Sequence, residues 1–112
     1  MENKLNQALT SIHRKIKFFI QRKIRGFDDF ELHDLDYTFF EWIYPRLKRF
    51  EKLTYGCYPG HLNNEKEWHD QLKKAIFDLE FILKHDEYEK DFNMHMHSFV
   101  NWFCKNVYYL WW

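Results

Sequence analysis

A planar, phosphate-bearing ligand asks a protein for three kinds of side chain: an aromatic face, a few cations, and a carboxylate or imidazole for sugar hydroxyls. Between Arg22 and Trp68 this chain carries all three. Arg22, Arg25, Arg46 and Arg49 are cations of the type that holds phosphate oxygens bidentately. Tyr37, Trp42, Tyr58 and Trp68 offer rings, and a base stacked on an aromatic gains ~1–3 kcal/mol. His33 and Asp36 can read hydroxyl groups. These ten residues form the candidate ligand set, and the ligand class they point to is a small nucleotide-like anion. The plainer alternative makes Trp42 part of the core and Arg46 with Arg49 a solvated helix face.

Other chemistries are less well supplied. His95 and His97 suggest a metal pair, but two positions apart on a helix they point roughly 200° away from each other. Asp91 and His95 share a face, yet two groups make no site and no HExxH or CxxC motif accompanies them, so no metal is expected. Cys57 needs a neighbouring base to act as a nucleophile. Ser11 and Ser98 fall on helix faces. With three glycines in 112 residues there is no phosphate-cradling loop, and no cofactor is expected. The acidic run Asp28, Asp29, Glu31, Asp34 and Asp36 has the residue types for acid–base work, but helix capping explains its spacing first. The basic residues of the first helix wrap around it without forming a stripe. On a chain of zero net charge that argues against duplex nucleic acid.

Residues 1–25 hold seven cations against Glu2 alone, and residues 26–45 hold six carboxylates and no cation. Neighbouring segments of opposite sign pair with each other in the fold, or else leave a basic face that attracts an anion. No apolar run approaches the roughly 20 residues of a membrane span, so no membrane partner is expected. The N-terminal stretch lacks the pattern of a secretory signal, and two cysteines make no disulfide framework; a cytoplasmic setting is expected. Aromatic residues are 21% of the chain, more than a small helical interior consumes.

Apolar periodicity supplies the elements that must position these groups. Leu5, Leu9, Ile12, Ile16, Phe19, Ile20 and Ile24 mark one face of a first helix, closed by Gly26. Asp28 and Glu31 form a capping box for a second helix. It continues through Trp42 and Phe50 or breaks near Asp36, with Pro45 expected to kink it or divide it. Residues 54–60 (TYGCYPG) read as a loop. Asn64 and Glu67 cap a third helix carrying Leu72, Leu79 and Ile82, and a fourth carries Phe92, Phe99 and Phe103. The expectation is a single all-α domain over 1–112, with four to five helices in a compact antiparallel bundle or orthogonal array. The chain closes on Tyr108, Tyr109, Leu110, Trp111 and Trp112. These aromatics are expected to fold back or to join copies of the chain, and a homo-oligomer is the favoured outcome.

The stretch RGFDDFELHDLD, from Arg25 to Asp36, resembles a family of small, mostly uncharacterised phage and prophage proteins with the pattern R-G-(W/F)-x-D-x-(D/E)-x-W-x-L-D. In that family a helix comes next, then a G-Y-P-like turn and a tryptophan opening the next helix. Arg25, Gly26, Phe27, Asp29, Glu31, Leu35 and Asp36 match, as do Tyr58, Pro59 and Trp68, across roughly residues 22–83. His33 stands where the family carries tryptophan, and Cys57 interrupts the Gly-Tyr-Pro triplet. The resemblance implies a helical phage accessory protein with no established enzyme activity, in the host cytoplasm. Its expected role is anti-defence: sequestering a nucleotide-derived signal without turnover. The alternatives are a module that inhibits a host protein, or a hydrolase of such a signal.

Overall fold

The computed structural model describes residues 2–111 and is all α-helical; among the described residues there is no strand. The helices are α1 (Glu2–Arg25), α2 (Leu35–Leu53), α3 (Glu65–Lys84) and α4 (Phe92–Asn106), with 3-10 turns at Asp29–Leu32 and Val107–Tyr109. Expected as one domain, the chain gathers its contacts into two compact units, Met1–Thr38 and Phe39–Trp112. Among the described residues no helix is long and apolar enough to cross a membrane.

In the first unit α1 ends as its sequence dictates. Gly26 takes φ +86°, and its amide donates to the Arg22 carbonyl at 2.9 Å. The chain then reverses through the capping box: the Glu31 amide donates to Asp28 Oδ1 (2.9 Å) and the Asp28 amide to Glu31 Oε2 (2.6 Å). The box opens a single 3-10 turn, in place of a long helix running on from Asp28. The His33 amide donates to the Phe30 carbonyl, and the Thr38 hydroxyl donates to the Glu31 carbonyl (2.8 Å), so the α-helical pattern restarts only at Leu35. The turn packs on α1 through Phe18 and Phe30, whose ring centroids lie 6.0 Å apart. The opposite charges meet here as well: Arg22 bonds Asp28, Arg25 bonds Asp29, and Gln21 brackets Asp29 from both sides.

The second unit holds the core. Phe40 and Leu47 of α2, Trp68, Leu72, Ala75, Leu79 and Ile82 of α3, and Phe92 and Phe99 of α4 are buried together. The three-and-four spacing of these positions is what turns one face of each helix inward. Phe40 meets Phe99 edge-on at 5.9 Å, a favoured arrangement of two ring quadrupoles. Pro45 does not divide α2, which is continuous from Leu35 to Leu53 with the proline on its exposed side. Asn64 caps α3 by accepting from the Glu67 amide at 3.0 Å. The charged stretch after Lys84 is a non-helical connection that closes on Asp91, a non-glycine residue at φ +73°.

Candidate functional site

The loop after α2 is held to α3 by a buried histidine. His69 Nδ1 lies 3.3 Å from Glu51 Oε1 and its Nε2 lies 3.2 Å from the Thr54 carbonyl. The Tyr55 ring stacks on the imidazole at 4.6 Å. Gly56, at φ +85°, turns the chain there, and its amide donates to Glu65 Oε1 (2.7 Å). The Leu62 amide donates to the Pro59 carbonyl (3.0 Å), which fixes the far end of the turn. This short loop is therefore tied to rigid helices, which suits it to hold a defined surface.

The end of the chain comes to the same place. The 3-10 turn Val107–Tyr109 continues α4, and Leu110 packs against the core. That anchoring sets Tyr109 and Trp111 along the loop, where they join Gly56, Cys57, Tyr58, Pro59 and Gly60 around a cleft of about 370 Å³. Tyr109 is also a wall of a second cleft of about 450 Å³, lined by His61, Gln71, Lys74, Ser98, Asn101, Trp102, Lys105 and Asn106. One cleft is loop-walled and carries three aromatic rings. The other is polar and carries two lysines.

One wall of the polar cleft, Lys74, is bonded to the buried Asp78. Asp78 Oδ1 lies 2.7 Å from His95 Nδ1, and Oδ2 lies 3.3 Å from Lys74 Nζ. Lys74 also donates to Ser98 Oγ at 2.6 Å, so its ammonium is held at the cleft by two oxygens. The Trp102 indole donates to Gln71 Oε1 (3.0 Å), and the Asn106 side-chain amide to the Trp102 carbonyl (2.9 Å). A third cavity, of about 400 Å³, runs from Asn3 to Arg14 and is lined by α1 residues alone, so it is the surface of a single helix.

The ten sequence candidates divide between the units. Arg22 and Arg25 are engaged by Asp28 and Asp29, and Arg25 also lies over the Phe27 ring at 4.6 Å. These arginines close a turn in this structure instead of opening toward a ligand. His33 is exposed, 3.9 Å from Asp34. Asp36 accepts from the Tyr37 amide, and Tyr37 is itself exposed. In the second unit the Arg46 guanidinium lies 4.3 Å over the Trp42 ring and donates to the Trp42 carbonyl, on the exposed side of α2 with Arg49. Trp42 is thus not the core residue of the plainer alternative. Trp68 is 1% exposed and stacks on Trp102, so its ring is taken up by the core and has no face for a ligand. Tyr58 alone of the ten lines one of the two clefts.

Lys74, Trp102, Lys105 and His61 were not among the sequence candidates, and Tyr109 stood only as a partner contact. Ser98, Asn101, Trp102, Lys105 and Tyr109 recur at three and four along the end of the chain, a polar stripe that the apolar periodicity of α4 masks. Tyr108 and Trp111 remain exposed, and Trp112 lies outside the described residues. His95 is drawn to Asp78, and among the described residues no three His, Cys, Asp or Glu side chains gather as a metal site. No known protein family, curated protein or solved structure matches this chain.

Proposed function

We propose that this chain is a non-enzymatic binding protein that captures a small nucleotide-like anion in the paired clefts of its second unit. The observation that carries the reading is that Tyr109 is a shared wall between an aromatic cleft and a cleft bearing Lys74 and Lys105. A base stacks against Tyr58, Tyr109 or Trp111, and the phosphates reach the two ammonium groups. His61, whose ring lies 5.3 Å from that of Tyr109, and the side-chain amide of Asn101 supply contacts for sugar hydroxyls. The resemblance to small phage proteins adds the biological sense: sequestration of a nucleotide signal made by host defence, in the host cytoplasm.

Calorimetry against adenosine monophosphate, cyclic mononucleotides and adenine dinucleotides tests the reading. Heat of binding is expected with at least one of them and none with unphosphorylated adenosine at the same concentration; no heat with any of them ends it. Mass spectrometry of the same mixtures is expected to return the ligand intact, and turnover would make the protein a hydrolase.

A second reading, a module that covers and inhibits a host protein, is favoured by Tyr108 and Trp111, 87% and 65% exposed, Trp111 at the wall of the aromatic cleft. Bulky apolar groups left in water near a groove suit a protein partner. One stoichiometric host protein retained by the chain after both Lys74 and Lys105 are replaced would favour it over nucleotide capture.

A further inference from the structure

The buried imidazole of His69 meets an acceptor at each of its two nitrogens. Nδ1 faces the Glu51 carboxylate at 3.3 Å. Nε2 faces the Thr54 carbonyl at 3.2 Å, with the Glu65 carboxylate 3.5 Å away. A backbone carbonyl can only accept, and so can an ionised carboxylate. A neutral imidazole carries one N–H, so it serves one side and turns a lone pair toward the oxygens on the other. Two hydrogen bonds need a proton on each nitrogen, and the imidazole is a stronger base than the carboxylate it faces. We propose that His69 is held as the imidazolium and latches the loop after α2, and that loss of its second proton as pH rises frees that wall of the aromatic cleft.

Charged groups face the ring from each element packed on it. Glu51 comes from α2, and Lys73 of α3 reaches the same carboxylate oxygen at 3.9 Å. Glu65 comes from the first turn of α3, and the loop adds the Thr54 carbonyl and the Tyr55 ring. Two carboxylates against one exposed ammonium favour a positive ring, and the tyrosine stacked on it at 4.6 Å does the same. Glu51 and His69 are 9% and 8% exposed, so water is poorly placed to replace a bond that is lost.

The latch reaches the cleft through three consecutive residues. Nε2 holds the Thr54 carbonyl, the imidazole face holds the Tyr55 ring, and Glu65 Oε1 holds the Gly56 amide at 2.7 Å. Gly56 to Gly60 then line the aromatic cleft, and beyond Thr54 the loop is exposed, so it is the side that can move. A closed state that binds one more proton than the open one loses stability as pH rises. Regulation of capture rests on the nucleotide reading: affinity should weaken by up to ~tenfold per pH unit while that proton is being released.

An NMR titration of the isotope-labelled full chain from ~pH 5.5 to ~9 tests the latch without any ligand. A C57S background removes the thiol that titrates in the same loop. At the acid end both His69 nitrogens are expected to carry protons. The Gly56 amide should leave its bonded position in the step in which one of them is lost. In Glu51→Gln the new amide can donate to an unprotonated Nδ1, so Gly56 should stay bonded to the alkaline end. A bare nitrogen at the acid end, two protons retained to the alkaline end, or a Gly56 step unchanged in Glu51→Gln would each overturn the latch. Calorimetry with adenosine monophosphate at ~pH 6 and ~pH 8 reads the regulation, and the ratio of the two chains' affinities cancels the titration of the phosphate itself. That ratio should shift toward Glu51→Gln at the higher pH, and an equal ratio at both overturns the coupling. No binding by either chain ends the nucleotide reading and the coupling that rests on it, while the Gly56 titration still decides the latch.

Discussion

Tyr109 sits with its ring 5.3 Å from that of His61, and this contact joins the last turn of the chain to the loop that leads into α3. The two residues are far apart in sequence, yet both line the polar cleft, and Tyr109 also walls the aromatic one. Removing the ring is therefore expected to reach both clefts. Tyr109→Ala should weaken binding of adenosine monophosphate by the loss of a stacking partner, ~1–3 kcal/mol or roughly five- to 150-fold in Kd. Tyr109→Phe keeps the plane and should stay close to wild type. Isothermal titration of both variants separates a stacking role from one that uses the hydroxyl.

The lysines make a different prediction. Lys74→Met and Lys105→Met should each lower affinity for a phosphate-bearing ligand, with the wild-type affinity falling as salt is raised and the double variant showing little salt response. Lys74 is shared with Asp78 and Ser98, so Lys105→Met is the cleaner substitution. If adenosine monophosphate binds the double variant as tightly as wild type, these ammonium groups do not meet its phosphate.

Trp68 shows how far the sequence could be read. Its helix, its cap at Asn64 and its place in the apolar rhythm of α3 all follow from local spacing, and the helical class follows from the same rhythm. Spacing also allows a tryptophan at the start of a helix to be either a ligand platform or a core residue, and only packing chose the core. Arg22 and Arg25 are similar: the charge blocks allowed either that neighbouring segments complement each other or that a basic face stays open, and only the fold showed Asp28 and Asp29 engaging these two arginines. The clefts were least legible, since they depend on a tertiary return of Tyr109 to the 56–61 loop that no local pattern encodes. For Trp68 the consequence is measurable. Trp68→Ala should cost ~3–5 kcal/mol in chemical denaturation, the usual loss for a large buried aromatic. Trp68→Phe should cost less and leave nucleotide affinity unchanged.

The capping turn of the first unit should respond to acid. Burial pushes the Asp28 carboxyl up, but the Glu31 amide and the Arg22 guanidinium outweigh it and hold the group below its ordinary value of 3.8. The Arg25 guanidinium and the Gln21 amide hold Asp29 below it too. A carboxylate depressed in the folded state stabilises that state above its unfolded pKa and loses the contribution as pH falls through the folded one. The turn is therefore expected to stay closed from neutral pH to about pH 4 and to open only below it. The Glu31 amide, bonded to Asp28 Oδ1, reports this in a proton NMR titration. Asp28→Asn keeps an accepting oxygen and loses the charge, so it should remove Asp28's share of the acid transition. Asp28→Ala should in addition cost ~0.5–2 kcal/mol as a lost cap.

Asp78 offers the sharpest separation of structure from binding. The residue is 2% exposed and its carboxylate faces His95 on one oxygen and Lys74 on the other, so it links α3 to α4 and also sets the lysine at the rim of the polar cleft. Asp78→Ala leaves the imidazole edge without its acceptor, which typically costs ~1–3 kcal/mol. It also frees Lys74 to turn outward. Asp78→Asn keeps an oxygen for His95 but gives up the charge that restrains the ammonium. Denaturation should therefore rank wild type above the asparagine variant and that above the alanine variant. Affinity for adenosine monophosphate is expected to move the other way or stay level, because each change relieves a negative charge beside the lysine proposed to meet the phosphate. If affinity instead falls in step with stability, Asp78 positions Lys74 for the ligand, and the lysine's preorganisation matters more to binding than the neutralising carboxylate beneath it.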